Sequence, residues 1–163
     1  MRLLLPLLLA AVSQCASANP TSMTLHSVFT GPDNCLDIVN ADNHDQLRIA
    51  RCGFYSGQMW EILPDAANGF VRLRTLFTGA DMCLDVVKDD HNDQVHMAPC
   101  ANVTGQLWHM DRTDPGLGGH VWNQLTGQGK CLDIVDDRSG RVQLASCGNY
   151  SSQYWSKRDG PRG

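Results

Sequence analysis

The chain is built from a block of about 48 residues that occurs three times. Each copy contains Cys-Leu-Asp-(Ile/Val)-Val, at residues 35–39, 83–87 and 131–135, and later a Gln-x-Trp motif that ends at Trp60, Trp108 or Trp155. The first cysteines of successive copies are 48 residues apart, and the tryptophans are 48 and then 47 residues apart. A constant period of this length indicates one structural unit per copy, with each unit burying its apolar face against its neighbours. Three copies predict a closed object with three-fold pseudosymmetry.

Within each copy the apolar residues alternate with the period of a β-strand. In the second copy this alternation runs through residues 70–77 and again through 94–100, and a short strand rich in β-branched residues lies at 83–87. A last strand surrounds Trp108, and Gly, Asn, Asp or Pro separates the segments. Four short strands per copy and about twelve in all predict an all-β chain folded as a β-trefoil. An antiparallel sandwich is the alternative, but a sandwich does not require a three-fold period.

The first 18 residues have the features of a secretory signal peptide. Arg2 supplies the positive start, residues 3–12 form a short apolar run, and Ala16-Ser17-Ala18 is a small-x-small cleavage site. The apolar run is shorter than the roughly 20 residues that span a bilayer, so we expect no membrane span. A lipid anchor on Cys15 is the alternative, although Gln14 fits a bacterial lipoprotein box poorly. We expect a secreted, extracellular or periplasmic protein with one mature domain at 19–163, in repeats of about 22–66, 67–114 and 115–158.

Six cysteines remain after this cleavage, two in each copy, and their separations are 17, 17 and 16 residues. Six cysteines allow 15 pairings, but the repeat favours one in which each copy closes its own pair: Cys35 with Cys52, Cys83 with Cys100, and Cys131 with Cys147. An even, regular set behind a signal peptide indicates an oxidising compartment. Buried thiols are the alternative. No copy has the Cys-x-x-Cys spacing of a zinc site, and we expect neither a metal nor a cofactor.

Charge and motif content argue against two classes of function. Without Arg2 the mature chain has 12 basic and 17 acidic residues, a net charge of −5, which disfavours nucleic acid and anionic membranes as partners. The chain has no Gly-x-Ser-x-Gly nucleophile motif. The aspartates of the first motif repeat three-fold, whereas catalytic carboxylate pairs seldom do. We therefore do not expect an enzyme.

Three copies of Cys-Leu-Asp, a second cysteine and Gln-x-Trp make the mature chain resemble the ricin-type β-trefoil lectin domain. The resemblance implies that the motif tryptophans fill the core. It also implies one sugar pocket per repeat, in which the acidic residue accepts hydrogen bonds from two adjacent sugar hydroxyls. Asp37, Asp85 and Asp133 occupy that position. The alternative is a structural role, in which these aspartates brace the turn that follows.

Other pocket positions of the family are kept less completely. The hydrogen-bonding residue four positions before the second cysteine is Arg48, His96 or Gln143 in the three copies. The aromatic platform two positions before that cysteine is replaced by Ala50, Ala98 and Ala145, and the asparagine before the motif glutamine by Gly57, Gly105 and Ser152. A stacking face is then expected from Tyr55 and Tyr150, three residues after the second cysteine, and a half-buried loop tyrosine is the alternative.

These residues rank the three pockets. The third has Asp133, Gln143 and Tyr150, the first has Asp37, Arg48 and Tyr55, and the second has only Asp85 and His96. We predict a secreted, non-catalytic lectin that binds carbohydrate or glycoconjugates through up to three shallow pockets, alone or as the targeting subunit of a separate toxin or enzyme. The runner-up is a trefoil with degenerate pockets that serves as a protein-interaction subunit. A trefoil protease inhibitor would need a long reactive loop, and none is evident.

Overall fold

The computed structural model describes residues 22–39, 46–65, 69–111, 118–136 and 138–160. The expected signal peptide and Cys15 lie outside these ranges. Within them the chain forms twelve short strands and three single-turn 3-10 helices. The strands are β1 (Met23–Ser27), β2 (Asn34–Val39), β3 (Gln46–Arg51), β4 (Trp60–Pro64), β5 (Val71–Thr75), β6 (Met82–Val86), β7 (Val95–Pro99), β8 (Trp108–Met110), β9 (Val121–Asn123), β10 (Gly127–Ile134), β11 (Val142–Ser146) and β12 (Trp155–Asp159).

The strands fall into three equivalent sets, which we call the first, second and third lobes after the repeats that form them. In each lobe the second and third strands make an antiparallel hairpin, and the first and fourth strands belong to a barrel shared by all three lobes. The 3-10 helices Ser56–Gln58, Thr104–Gln106 and Ser151–Gln153 precede the fourth strands. This is the predicted β-trefoil, and the antiparallel sandwich is excluded.

The barrel closes in the same way in every lobe, because the motif tryptophan pairs with the beginning of the first strand. Met23 lies opposite Trp60, Val71 opposite Trp108, and Gly119 opposite Trp155. Strands of neighbouring lobes pair as well, and β1 runs antiparallel to β12, which joins the two ends of the described chain. Each lobe therefore completes the barrel of the other two, as expected for units that cannot bury their apolar faces alone.

The three motif tryptophans form the centre of the core. Their relative exposure is 0–1%, and each indole N–H donates a hydrogen bond to the carbonyl of the leucine that follows the first cysteine. The Nε1-to-oxygen distances are 2.9 Å for Trp60 to Leu36, 2.8 Å for Trp108 to Leu84 and 2.9 Å for Trp155 to Leu132. A buried indole needs such a partner. The contact fastens each hairpin to the barrel wall beneath it, which confirms the structural role expected for Gln-x-Trp.

Each hairpin is also closed by a disulfide. The bonds are Cys35–Cys52, Cys83–Cys100 and Cys131–Cys147, with Cα–Cα distances of 5.1, 5.0 and 5.0 Å. This confirms the predicted pairing of one disulfide per repeat. Loops of 16 or 17 residues give each bond about 3 kcal/mol of stabilisation in the chain-entropy model. In the described part of the chain, no helix has the length and apolar character needed to cross a membrane.

We expect Trp108→Phe to lower the free energy of unfolding by about 2–4 kcal/mol, because it leaves the Leu84 carbonyl buried without its donor and opens a cavity. Guanidinium denaturation followed by circular dichroism measures the change. Trp122→Phe is the control, since Trp122 is only half-buried and its indole N–H donates a hydrogen bond to the Asp111 side chain. A loss at Trp108 no larger than the loss at Trp122 would contradict this role for the core indole.

Candidate functional site

The hairpin register places the predicted pocket residues directly opposite each other. Asp37 faces Arg48 across β2 and β3, Asp85 faces His96 across β6 and β7, and Asp133 faces Gln143 across β10 and β11. Side chains of directly opposed residues in an antiparallel pair are neighbours, with Cβ atoms about 5 Å apart. The structure therefore brings each predicted aspartate together with its predicted partner in all three lobes.

In the first and second lobes the motif glutamine holds the aspartate. Gln58 Nε2 donates to Asp37 Oδ2 at 3.1 Å, and Gln106 Nε2 donates to Asp85 Oδ2 at 3.0 Å. The other carboxylate oxygen of Asp85 accepts the N–H of Val86 at 2.8 Å. Both oxygens of Asp85 thus have partners inside the protein. In these two lobes the motif glutamine fixes the position of the aspartate carboxylate.

A glycine makes this arrangement possible. Gly57 and Gly105 directly precede the motif glutamines and are buried. A Cβ atom at Gly57 would lie 2.4 Å from Asp37 Oδ1, and one at Gly105 would lie 2.3 Å from Asp85 Oδ1. Since real side chains do not approach so closely, the carboxylate and a Cβ atom cannot occupy these places together.

Burial also changes the acidity of Asp37. Removal from water raises the pKa of its carboxyl group above the ordinary value, while the hydrogen bonds from Gln58 and the Ile38 N–H and the charge of Arg48 oppose this rise. The net direction is upward. Asp37 is therefore a half-buried carboxyl group whose charged form is disfavoured by the loss of water.

The third lobe differs at the same point. Ser152 replaces the glycine. Gln153 Nε2 donates a hydrogen bond to the Ser146 carbonyl at 3.0 Å. Among the described residues of this lobe, Gln153 makes no hydrogen bond to Asp133. Asp133 Oδ1 is buried and has no hydrogen-bond partner. A buried acceptor without a partner is costly, so a hydrogen bond gained by this carboxylate on ligand binding would be favourable.

A cleft of about 720 Å³ lies beside Asp133. Its walls include Asp133, Gln143 and Tyr150, so the structure brings together the three residues predicted for the third pocket. Tyr150 is 63% exposed, and its ring lies against Gly148, where a Cβ atom would come within 2.4 Å of it. Tyr55 lies in the same way against Gly53 in the first lobe and is 67% exposed. Neither tyrosine is half-buried, which was the alternative for these loop residues.

Two further residues of the cleft were missed from the sequence. Phe29, in the turn after β1, is 48% exposed and reaches the cleft from the first lobe. Asn149 lies on the wall beside Tyr150, and its Oδ1 accepts a hydrogen bond from the Tyr154 hydroxyl at 2.8 Å, which leaves the side-chain NH2 as a donor. The position of Asn149, two residues after the second cysteine and next to Tyr150, could have suggested it. Phe29 could not be found in this way, since its contact depends on barrel closure.

Within the described residues, one group of side chains offers the atoms of a metal site. His26, Cys35 and Cys52 have ligand atoms within 4.8 Å of one another. Both sulfurs belong to a disulfide and provide no thiolate, which is the form that binds metals. This group is therefore not a metal site in the oxidised protein.

Comparison with known proteins identifies the family. Residues 21–155 match the ricin-type β-trefoil lectin domain. The chain belongs to this family. No curated protein sequence matches it, so the remaining comparisons are with solved structures.

The similar structures are distant in sequence and show the fold alone. The designed three-fold symmetric protein ThreeFoil is 22% identical with a TM-score of 0.67, over 85% of this chain and 98% of that one. The C-half of the earthworm R-type lectin, solved in complex with GalNAc, is 15% identical with a TM-score of 0.57, over 86% and 99%. A mosquitocidal holotoxin is 13% identical with a TM-score of 0.70, over 92% of this chain but only 18% of its own. The same fold thus occurs alone and as part of larger chains.

We expect Asp37 to titrate at a higher pH than an aspartate in a model peptide, because burial penalises its charged form. Since the folded pKa lies above the unfolded one, the contribution of this group to stability is greatest below the unfolded pKa and is lost as the pH rises through the folded pKa. Carboxyl-carbon NMR during a pH titration measures the midpoint. An Asp37 midpoint at or below that of the peptide would show that burial does not dominate the pKa of this carboxyl group.

Proposed function

We propose that this protein is a secreted, non-catalytic lectin and that the third-lobe cleft is its principal carbohydrate site. One observation carries the proposal: Asp133 lines an open cleft of about 720 Å³ and makes no hydrogen bond to its motif glutamine. Two adjacent sugar hydroxyls present donors suited to such a carboxylate, and hydrogen bonds to a charged acceptor are about twice as strong as neutral ones. The membership of the chain in a lectin family supports the same function.

The other residues of the cleft would complete sugar recognition. Gln143 lies opposite Asp133 and offers both a donor and an acceptor. The exposed rings of Tyr150 and Phe29 provide apolar faces for the C–H side of a sugar ring. The NH2 of Asn149 adds a donor whose orientation is held by Tyr154.

The charge of the cleft favours an uncharged sugar. Asp133 and Asp136 both line it, and none of its lining residues, all in the described part of the chain, is basic. A sialylated or sulfated sugar would bring its negative charge against two carboxylates, and like charges in an interface disfavour binding. The partner proposed here is therefore a glycoconjugate that ends in a neutral sugar.

The three disulfides favour an oxidising compartment, which agrees with secretion from the predicted signal peptide. The absence of catalysis remains our proposal, since similar domains also occur within enzymes, as in an endo-β-galactosidase from Clostridium perfringens, of which this chain covers 32%. Asp37 with Arg48 and Tyr55, and Asp85 with His96, remain candidates for further sugar sites. Asp85 is the weaker of the two aspartates, because both of its oxygens already accept hydrogen bonds within the protein.

A second candidate function is that of a protein-interaction or cell-targeting subunit of a separate toxin or enzyme. The same internal bonds favour it, because two of the three aspartates already have partners. The exposed side chains of Phe54 and Tyr55, 58% and 67% accessible, would supply apolar contacts to such a partner.

We expect the mature, oxidised protein to bind neutral glycans on an array, and Asp133→Ala to weaken that binding about 10- to 100-fold, the loss for a hydrogen bond to a charged group. Asp85→Ala and Asp37→Ala are the matched controls, and both should bind nearly as wild type does. Circular dichroism verifies the fold of each variant. Absence of glycan binding by the folded wild-type protein would exclude the lectin function and favour the protein-interaction subunit.

A further inference from the structure

The first lobe has a groove over its disulfide that plays no part in the proposed function. The groove has a volume of about 400 Å³ and includes none of the residues predicted for the first sugar pocket. The Cys35–Cys52 disulfide and the buried side chains of Thr24 and His26 form its floor. Its rim is charged and aromatic and consists of Asp33, Arg51, Phe54, Arg158 and Asp159. We call this the disulfide groove.

The second lobe has a corresponding groove over Cys83–Cys100, and its charges are paired within the protein. Two arginines line it. Arg72 lies 3.0 Å from the carboxylate of Asp65, and Arg74 is paired with Glu61. The positive charges of this groove are therefore neutralised by carboxylates of the same chain.

The third lobe also pairs its charge at this place. Arg158 corresponds to Leu63 in the second lobe's groove and to Asp111 beside the third lobe, because each is the third residue after a motif tryptophan. Asp111 accepts a hydrogen bond from the indole N–H of Trp122 at 3.2 Å. The repeat thus provides two internal comparisons, and in both of them the charged groups have partners.

The disulfide groove of the first lobe differs from both. Within the described part of the chain, the two arginines and two aspartates of its rim make no ion pair and no side-chain hydrogen bond. All four are exposed. They are therefore able to contact a ligand without first breaking an internal bond.

His26 reports the sign of the charge that acts on the floor of the groove. Burial lowers the pKa of its imidazole, and the Arg158 guanidinium lowers it further, while backbone carbonyls of the adjoining turn oppose the change. Neither carboxylate of the rim is among these influences. The field at the floor is therefore that of Arg158, and it favours an anion.

We propose that the disulfide groove is a second binding site, which takes the carboxylate or sulfate group of an acidic saccharide. Arg158 and Arg51 would bind the anion, because a guanidinium presents paired N–H donors that match two oxygens of such a group. The inference goes beyond the proposed function, since it gives the chain a second site with the opposite preference for charge.

The size of the groove and the Phe54 ring favour a sugar over a bare ion. A cavity of about 400 Å³ falls in the range of small-molecule sites. Phe54 is 58% exposed, and its φ of 55° places it in the left-handed region, which is uncommon for a bulky residue. This conformation holds the ring at the rim, where it offers an apolar face to the C–H side of a sugar.

An NMR titration of the mature, oxidised protein tests the proposal. The probes are methyl glucuronide and galactose sulfate, and the neutral controls are methyl glucoside and galactose. We expect the acidic sugars to shift the resonances of His26 and Phe54, and the neutral sugars to leave them unchanged.

Two variants on β12 separate a specific contact from a general effect of charge. Arg158→Gln should weaken the binding of the acidic sugars about 10- to 100-fold, the loss for a hydrogen bond between charged groups. Lys157→Gln is the matched control, because it removes the same charge from the adjacent exposed position, which does not line the groove. It should bind the acidic sugars nearly as wild type does. Arg51→Gln repeats the test on β3 if circular dichroism shows that Arg158→Gln disturbs the fold.

Three results would overturn the inference. They are the absence of shifts at the groove with either acidic sugar, equal losses in Arg158→Gln and Lys157→Gln, and binding of free sulfate or of an acidic peptide as tight as that of the acidic sugars. The proposed function is tested separately. Arg158→Gln should keep the binding of neutral glycans on the array, and Asp133→Ala should keep the binding of acidic sugars in the groove.

Discussion

The fold depends on a hydrogen bond that each lobe makes between the indole of its motif tryptophan and the carbonyl of the leucine after its first cysteine. This bond joins two segments about 24 residues apart and places the hairpin over the barrel wall. It also satisfies the one polar group of a side chain that is otherwise wholly buried. The disulfide, the 3-10 helix and the aspartate of each lobe all take their positions from the hairpin that this bond fixes.

Once the hairpin is in place, the motif glutamine becomes the neighbour of the aspartate. Its Oε1 accepts a backbone N–H just after the second cysteine, at 2.8, 2.7 and 2.8 Å in the three lobes, and its Nε2 donates to a strand carbonyl. These two bonds are common to all lobes. The second Nε2 proton is the variable one, and it reaches the aspartate in the first and second lobes alone. The lobes therefore differ in one hydrogen bond of a side chain whose other bonds are constant.

Sequence reasoning predicted the fold because the period and the strand alternation are properties of the chain itself. It also placed Gln143 in one pocket with Asp133, through the resemblance to the lectin family, and in the structure the two residues lie opposite each other. It did not predict the bond from Gln58 to Asp37, because these residues are 21 positions apart and meet only when the 3-10 helix packs under the hairpin. Phe29 was missed for a similar reason: it reaches the third lobe only because β1 pairs with β12.

The tryptophan bonds have a consequence for how such a protein can evolve. Their acceptors are main-chain carbonyls, which every amino acid supplies, and the polar and aromatic residues of the third cleft, such as Asp133, Gln143 and Tyr150, lie outside the core that these bonds organise. A mutation of one of these side chains therefore leaves the three core hydrogen bonds in place. After triplication of an ancestral unit, the cleft of each copy could change independently. The number of ligand-binding sites can therefore vary while the scaffold stays constant.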